Sequence, residues 1–353
     1  MTARALSSLD DVRTVVWGEQ LPDFRFDPHA REPGAVLYVR DDWRRRATSL
    51  RSRVTVRFPG RIHLGMLDPA ATPRIGSHGY GGGIGVSVDA LRSRAAVWVT
   101  KRAPEDGGRD PIELHYLRLF QELVGGVFDC DVRLDPRMLR HAGLGSSAAV
   151  GVALLAGLNE LCGAPFTDEE LTNIYLLNYV EAAGANKVIH AITTGVAAAT
   201  LRGGLVGIDA GSSRVQRMTS DGLYASVAIV ARPRRQSTPT VAPITFRSGL
   251  ARQLSAAMAA GDRAAVLRIC RSCADQNTRR VATCFGLSST TARLLSIAKG
   301  SLADVVGVTS DGPSVFALSS SKAHAQALAA VWRKTAAPEH VVVSTIGTAL
   351  SRS

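Results

Sequence analysis

Lysine is scarce in this chain. Of its 42 basic residues only Lys101, Lys187, Lys299, Lys322 and Lys334 are lysines, and the arginines are spread along the whole length. The formal charge of +12 therefore forms no compact basic stripe. Aromatic residues make up only 5%, too few to interleave with such a stripe as a base-stacking platform does. A nucleic-acid-binding module is thus the weakest of the function classes considered, because a polyanionic small substrate draws on the same electrostatics. Eighteen uninterrupted apolar residues occur nowhere, and the longest candidate, around 148–158, is Ala-rich and too short to span a bilayer, so no membrane segment is expected. Cysteine is limited to Cys130, Cys162, Cys270, Cys273 and Cys284. An odd number in a large chain with no signal-peptide pattern argues against a disulfide framework and for a cytoplasmic setting. Cys270 and Cys273 form one Cys-x-x-Cys pair without a fourth zinc ligand nearby, and are read as small apolar residues on a helix face.

What is present suffices for two domains: the hydrophobic fraction is 46%. Residues 1–50 show little periodicity and carry the charged run "RDDWRRRATSLRSR", read as an extension, either a solvated arm or a dimer contact. From residue 52 apolar residues alternate, and "SRVTVRF", "IGVSVD" and "RAAVWVT" predict strands. Helical patterns follow at 111–125, 148–161 and 167–182, the last behind Thr167 with Glu170 three residues on. "GVAAATL" and "LVGID" are read as two further strands. Beyond them come a strand at 223–231, helices between 246 and 298, strands "ADVVGVT" and "SVFALS", a helix at 321–334 and the strand "HVVVST". That order is a split βαβ, ferredoxin-like unit. The expected domains are 51–215 and 216–353.

The stretch "HAGLGSSAAVGVALLAGLNEL", residues 141–161, is a glycine-rich turn running straight into a helix. Such a turn offers unpaired N–H groups at the positive end of a helix dipole and suits phosphate or pyrophosphate. Gly143 and Gly145, with Leu144 between them, allow close approach, and Ser146 and Ser147 add hydroxyls for a phosphate oxygen or its Mg²⁺. The competing reading is a tight turn with Ser146 as a helix cap.

"GLGSSAA" at 143–149, preceded by "PGRIHLGMLD" at 59–68, resembles two ordered motifs of the GHMP kinase superfamily. The resemblance covers roughly 51–346 and implies an α+β fold, an S5-like N-terminal domain packed on a ferredoxin-like C-terminal one. The kinases' catalytic aspartate is missing. In "VEAAGANKVIHA", residues 180–191, its position falls at His190, and no carboxylate lies between Glu181 and Asp209. The third loop, "GVTSDGPSVFAL" at 307–318, departs from the glycine-packed kinase form as well. Together with "GGGIGVSVD", these departures resemble the β-ribofuranosylaminobenzene 5′-phosphate synthases, a non-kinase branch, and their relatives that make C-nucleosides of the formycin and pyrazofurin type. An arginine-rich composition of high-GC style fits an antibiotic producer.

The resemblance implies replacement of pyrophosphate at C1 of 5-phosphoribosyl 1-pyrophosphate by the carbon of an aromatic acid, with loss of CO₂. The expected acceptor is 4-amino-pyrazole-3,5-dicarboxylate, with 4-aminobenzoate as the alternative. Mg²⁺ is the implied cofactor, held by Glu181 and Asp68, and a homodimer is the expected assembly. His78, Tyr80 and Gly82, in the glycine-rich "SHGYGGGIG", would line the aromatic slot with Arg235 of "ARPRRQSTP". A hairpin loop and a solvated basic loop are the alternatives for these two stretches. Arg61 would fork a carboxylate or phosphate, and His63 is either catalytic or a core histidine. Lys187 and His190, three apart, would share a helical face and act on the acceptor, the alternative being a helix-end charge pair. Ser310, Asp311 and Gly312 would contact the donor's ribose or phosphate. An ATP-dependent small-molecule kinase is the runner-up.

Overall fold

In a computed structural model, the chain is described at residues 12–16, 36–67, 83–100, 110–126, 129–134, 144, 146–184, 187–190, 196–208, 215–218, 220–230, 249–310, 312–336, 338, 340–347 and 349–352. The elements in order are β1 (Val12–Val16), β2 (Val36–Arg40), β3 (Arg53–Met66), β4 (Gly83–Thr100), α1 (Pro111–Val124), β5 (Asp129–Leu134), α2 (Ser146–Leu161), α3 (Asp168–Leu177), β6 (Val180–Gly184), β7 (Lys187–His190), α4 (Val196–Arg202), β8 (Leu205–Ile208) and β9 (Val215–Met218). The second half continues with β10 (Tyr224–Ile229), α5 (Leu250–Ala259), α6 (Arg263–Phe285), α7 (Ser289–Lys299), β11 (Val305–Val308), β12 (Val315–Ser319), α8 (Lys322–Thr335), β13 (His340–Thr345) and β14 (Ser351–Arg352).

The alternating segments merge into two long antiparallel strands. β3 and β4 form the spine of a sheet ordered β14-β3-β4-β8-β9, with β5 also on β4. Their pairing shifts register between Phe58 and Gly60, where a Cβ on Gly60 would lie 2.4 Å from the Leu91 Cβ. A bulge exchanges the faces of a pleated strand, and the burial follows. Val54, Val56 and Phe58 enter a first core with α1, α2 and α3, whereas Ile62 and Leu64 enter a second core with α5, α6 and β10. One strand thus serves both halves of the molecule.

The second half is the ferredoxin-like unit expected: its sheet is ordered β11-β12-β10-β13 and all pairs are antiparallel. Trp332 of α8, fully buried, donates its indole N–H to the Leu294 carbonyl of α7 at 3.0 Å, which locks the helical layer on this sheet. Cys270 and Cys273 lie buried on α6 as expected of small apolar residues. Burial pushes the Cys162 thiol up to about 11 and Cys273 up to about 12, and Cys270, beside Cys273, is pushed up as well. Protonated, buried thiols do not alkylate. Native protein treated with iodoacetamide at pH 8 is therefore expected to stay unmodified at Cys130, Cys162, Cys270 and Cys273 by mass spectrometry and to react at all four after denaturation.

Several local expectations are met. Thr167 and Glu170 form a capping box, and α1 starts with Pro111 behind an Asp110 side chain that accepts from the Ile112 amide. Two differ. "GVAAATL" forms α4 rather than a strand, because its alanines favour helix, and Gly203, at φ +66°, follows its end. The helix expected over 167–182 stops at Leu177. There Asn178, fully buried, accepts from the Tyr38 amide at 2.8 Å and donates to the Tyr38 carbonyl at 2.9 Å and the Ile174 carbonyl at 3.0 Å. His115 donates through Nε2 to the Asn178 carbonyl at 3.0 Å. The chain then continues into β6. Leu37, Tyr38, Val39 and Trp43 are consequently core residues, so the solvated-arm expectation does not hold for this part of residues 1–50.

Candidate functional site

Three pieces of chain meet where the two cores adjoin: the start of α2, the middle of β3 and the loop between β11 and β12. Leu144 is buried in the second core, and four residues on Ala148 is buried in the first. The start of α2 is thus placed at the seam. The Tyr175 hydroxyl donates to the Ala148 carbonyl at 3.0 Å, and Tyr175 stacks on Tyr116 with ring centroids 5.6 Å apart. Gly151 makes this possible, since a Cβ there would meet the Tyr116 ring at 2.4 Å. Burial pushes the Tyr175 phenol well above its ordinary value, and the neighbouring tyrosines add to this while the Arg61 charge opposes it. Tyr175 therefore remains a neutral donor. The start of a sixteen-residue helix thus lies where the two cores adjoin, and the N–H groups that open a helix favour an anion.

On β3, Arg61 is 2% exposed, pairs in register with Ser87 of β4 and lies near enough to Tyr175 for its charge to act there. It is therefore close to the first turn of α2. His63, two residues on, is half-buried, and its carbonyl accepts from the Ser310 amide at 3.2 Å. That bond joins the first half of the chain to the third loop.

The loop is tightly organised. Thr309 N–H donates to the Ser314 carbonyl at 2.9 Å and Gly312 N–H to the Thr309 carbonyl at 2.6 Å. Gly312 has φ +77° and Ser310 φ +43°, the left-handed region that a serine occupies only when its surroundings hold it there. α6 supplies the hold. Asn277 donates to the carbonyls of Val308 at 3.0 Å and Ser310 at 2.8 Å, and Arg280 donates to the same Ser310 carbonyl at 3.0 Å. The Thr278 hydroxyl accepts from the Val308 amide at 3.1 Å. Behind the loop, the Thr291 hydroxyl donates to the Pro313 carbonyl at 2.9 Å. None of these supporting residues follows from a sequence motif. The only available signal was the polar run "DQNTRR" on a helix whose other inward positions are apolar.

Glu181, Lys187 and His190 share one hairpin. β6 and β7 pair antiparallel, with His190 opposite Val180, Ile189 opposite Glu181 and Lys187 opposite Gly184. The spacing argument for Lys187 and His190 is corrected: in a strand, residues three apart have no helical face in common. Glu181, on the neighbouring strand, is paired with Ile189 and with neither of them, and the hairpin packs beside α1 and α2. Gly143, Gly145, Asp68, His78, Tyr80, Gly82, Arg235 and Asp311 lie outside the described residues, as do the side chains of Ser146, Ser147, Glu181, Lys187 and His190. Among the described residues, no three His, Cys, Asp or Glu gather as a metal cluster and no helix is long and apolar enough to cross a membrane.

Residues 114–204, which run from α1 to the end of α4, match the family described as GHMP kinases N terminal domain. Homoserine kinase from Cytophaga hutchinsonii is similar over 87% of this chain and 99% of its own, with TM-score 0.62 and 18% identity. Mevalonate diphosphate decarboxylases from Staphylococcus aureus (TM-score 0.61, 13% identity, 86% of this chain and 98% of that one) and Enterococcus faecalis (0.62, 16%, 86% and 99%) share the fold as well. No curated protein sequence matches the chain.

Proposed function

We propose that the protein is a decarboxylating C-ribosyl transferase, which joins 5-phosphoribosyl 1-pyrophosphate to an aromatic carboxylic acid, 4-amino-pyrazole-3,5-dicarboxylate first among acceptors. The observation that carries this reading is the composition of the β6–β7 hairpin. Glu181 sits there with Lys187 and His190, and no carboxylate follows before Asp209. A carboxylate is a common base for the acceptor hydroxyl of a kinase, whereas a lysine and a histidine beside a single glutamate suit an acceptor that itself carries carboxylates.

In the proposed reaction the C1–O bond to pyrophosphate breaks and a C1–C bond to the ring forms. The carboxylate on that ring carbon leaves as CO₂, and its bonding pair restores the aromatic ring. Charge builds on the departing pyrophosphate, where N–H groups fixed at the start of α2 contribute most because they require no reorganisation. Lys187 and His190 would hold the leaving carboxylate or take a ring-nitrogen proton, which makes the ring carbon more nucleophilic. Arg61 is the candidate anchor for a phosphate, and His78, Tyr80, Gly82 and Arg235 for the aromatic acid. Mg²⁺ would supply charge neutralisation at the pyrophosphate, with Glu181, Asp68 and the Ser147 hydroxyl as its protein donors. One or two carboxylates are what this ion takes when it is held chiefly by phosphates and water, and a solved structure of the same fold at 15% identity holds magnesium with AMPPCP.

The test is a product assay with purified protein, Mg²⁺ and 5-phosphoribosyl 1-pyrophosphate against a panel including 4-amino-pyrazole-3,5-dicarboxylate and 4-aminobenzoate. Release of both pyrophosphate and CO₂ with one acceptor, and a ribosylated product mass, is the expected result. The fold of homoserine kinase favours ATP-dependent phosphorylation as the second reading. ATP consumption with a hydroxyl acceptor, and silence across the first panel, would establish that reading instead.

A further inference from the structure

We propose that Asn277 and Arg280 of α6 are positioning residues, which set the 308–314 loop against β3 and thereby tune affinity for the sugar-phosphate donor. The inference rests on the synthase reading for the identity of the donor, and on the geometry for everything else. Asn277 is 3% exposed, and both of its amide hydrogens are spent, on the Val308 and Ser310 carbonyls. Its Oδ1 accepts from Arg280 Nε at 3.2 Å and Nη2 at 3.1 Å. An amide turned the other way would set its NH₂ against a guanidinium and its oxygen against two carbonyls, so Arg280 fixes the orientation in which Asn277 works. Arg280 also bonds the Ser310 carbonyl directly at 3.0 Å.

The consequence lies in how Ser310 is presented. Its carbonyl is drawn to α6 while its amide donates to the His63 carbonyl on β3, and it holds the left-handed conformation in between. Acceptors of the loop are thus turned to the helix and away from the seam, where an anionic donor would suffer from them. Thr309, fully buried between these two anchors, has a hydroxyl with no hydrogen-bond partner, a cost that a bound polar group relieves. The strut therefore acts without touching the ligand. Losing it frees Ser310 to relax and to drop its bond to His63.

Arg280→Gln removes the guanidinium from a partly exposed side chain, and Arg280→Lys keeps the charge. In the ligand-free full-length protein, Arg280→Gln is expected to speed hydrogen exchange of the Ser310 amide about tenfold, in line with a lost bond to a charged group. In steady-state assays it is expected to raise KM for 5-phosphoribosyl 1-pyrophosphate about tenfold, with kcat and the acceptor KM within twofold, and Arg280→Lys is expected to recover part of both effects. Unchanged exchange at Ser310 in Arg280→Gln overturns the strut. Faster exchange with an unchanged donor KM, or with kcat and both KM values disturbed together, overturns its role in donor binding. The wild-type product assay is read separately. Absence of product there removes the synthase reading and leaves the exchange comparison to decide the strut.

Discussion

Lys187→Met is expected to lower kcat/KM for the aromatic acceptor at least about a hundredfold, the size typical of a lost proton-transfer or charge-binding group. The melting temperature is expected to stay within a few degrees. The hairpin register is set by backbone pairs, Val180 with His190 through Gly184 with Lys187, so a side chain at position 187 is not needed to form it. Lys187 is also one of five lysines in a chain where arginine supplies the remaining positive charge. Arginine never gives up its proton, whereas a lysine near an electropositive site can. Lys187→Arg therefore separates the two roles: retention of activity assigns Lys187 to carboxylate binding, and loss assigns it to proton transfer. A fall of less than tenfold in Lys187→Met removes the residue from the chemistry and leaves His190, tested as His190→Gln, as the group that acts on the acceptor.

Gly151→Val is expected to destabilise the protein by about 3 kcal/mol or more, as overpacking of a closed core does. For a chain of this size that corresponds to roughly 4 °C or more in a thermal melt. The first added carbon would meet the Tyr116 Cε2 at 2.4 Å and the Tyr175 Cε2 at 2.8 Å, two stacked rings with no room to withdraw. Gly151→Ala meets the same contact but gains about 1 kcal/mol of helix propensity, so its loss is expected to be the smaller of the two. Because Tyr175 holds the Ala148 carbonyl, the rings cannot shift without disturbing the first turn of α2. Both variants are therefore expected to weaken pyrophosphate binding by calorimetric titration. A melt of Gly151→Val within 2 °C of wild type would show that the rings make room and that the α2 start is not braced in this way.

Much of the architecture is legible in the residues. Period-two alternation marks β3, β4 and the strands of the second sheet, and the capping box at Thr167 marks the start of α3. The strand and helix order of the second half specifies its sheet. What was not legible depends on partners far away in sequence. Leu177 ends a helix because Asn178 spends its side chain on Tyr38, 140 residues earlier, and no local pattern carries that information. The merging of two alternating stretches into one strand depends on a bulge at Gly60 fitted against Leu91. At the site, the glycine turn, the third loop and the residues of the hairpin stand out as motifs, but the geometry of Lys187 and His190 was misjudged with the helix end. Asn277 and Arg280 escaped entirely, because they act on main-chain carbonyls and so answer to the path of the loop rather than to any substrate chemistry.

β14 adds to the open side of β3, where Ser351 pairs with Arg57 and Arg352 with Val56, and Arg352 also reaches Asp168 and Glu160. During synthesis, then, β3 emerges almost three hundred residues before the strand that covers its edge. An uncovered strand edge is a template for unwanted pairing, and contacts this distant in sequence close slowly. The stretch of β3 at Val56 and Arg57 is accordingly the part of this edge that gains its neighbour last, and in a nascent chain it is an open edge.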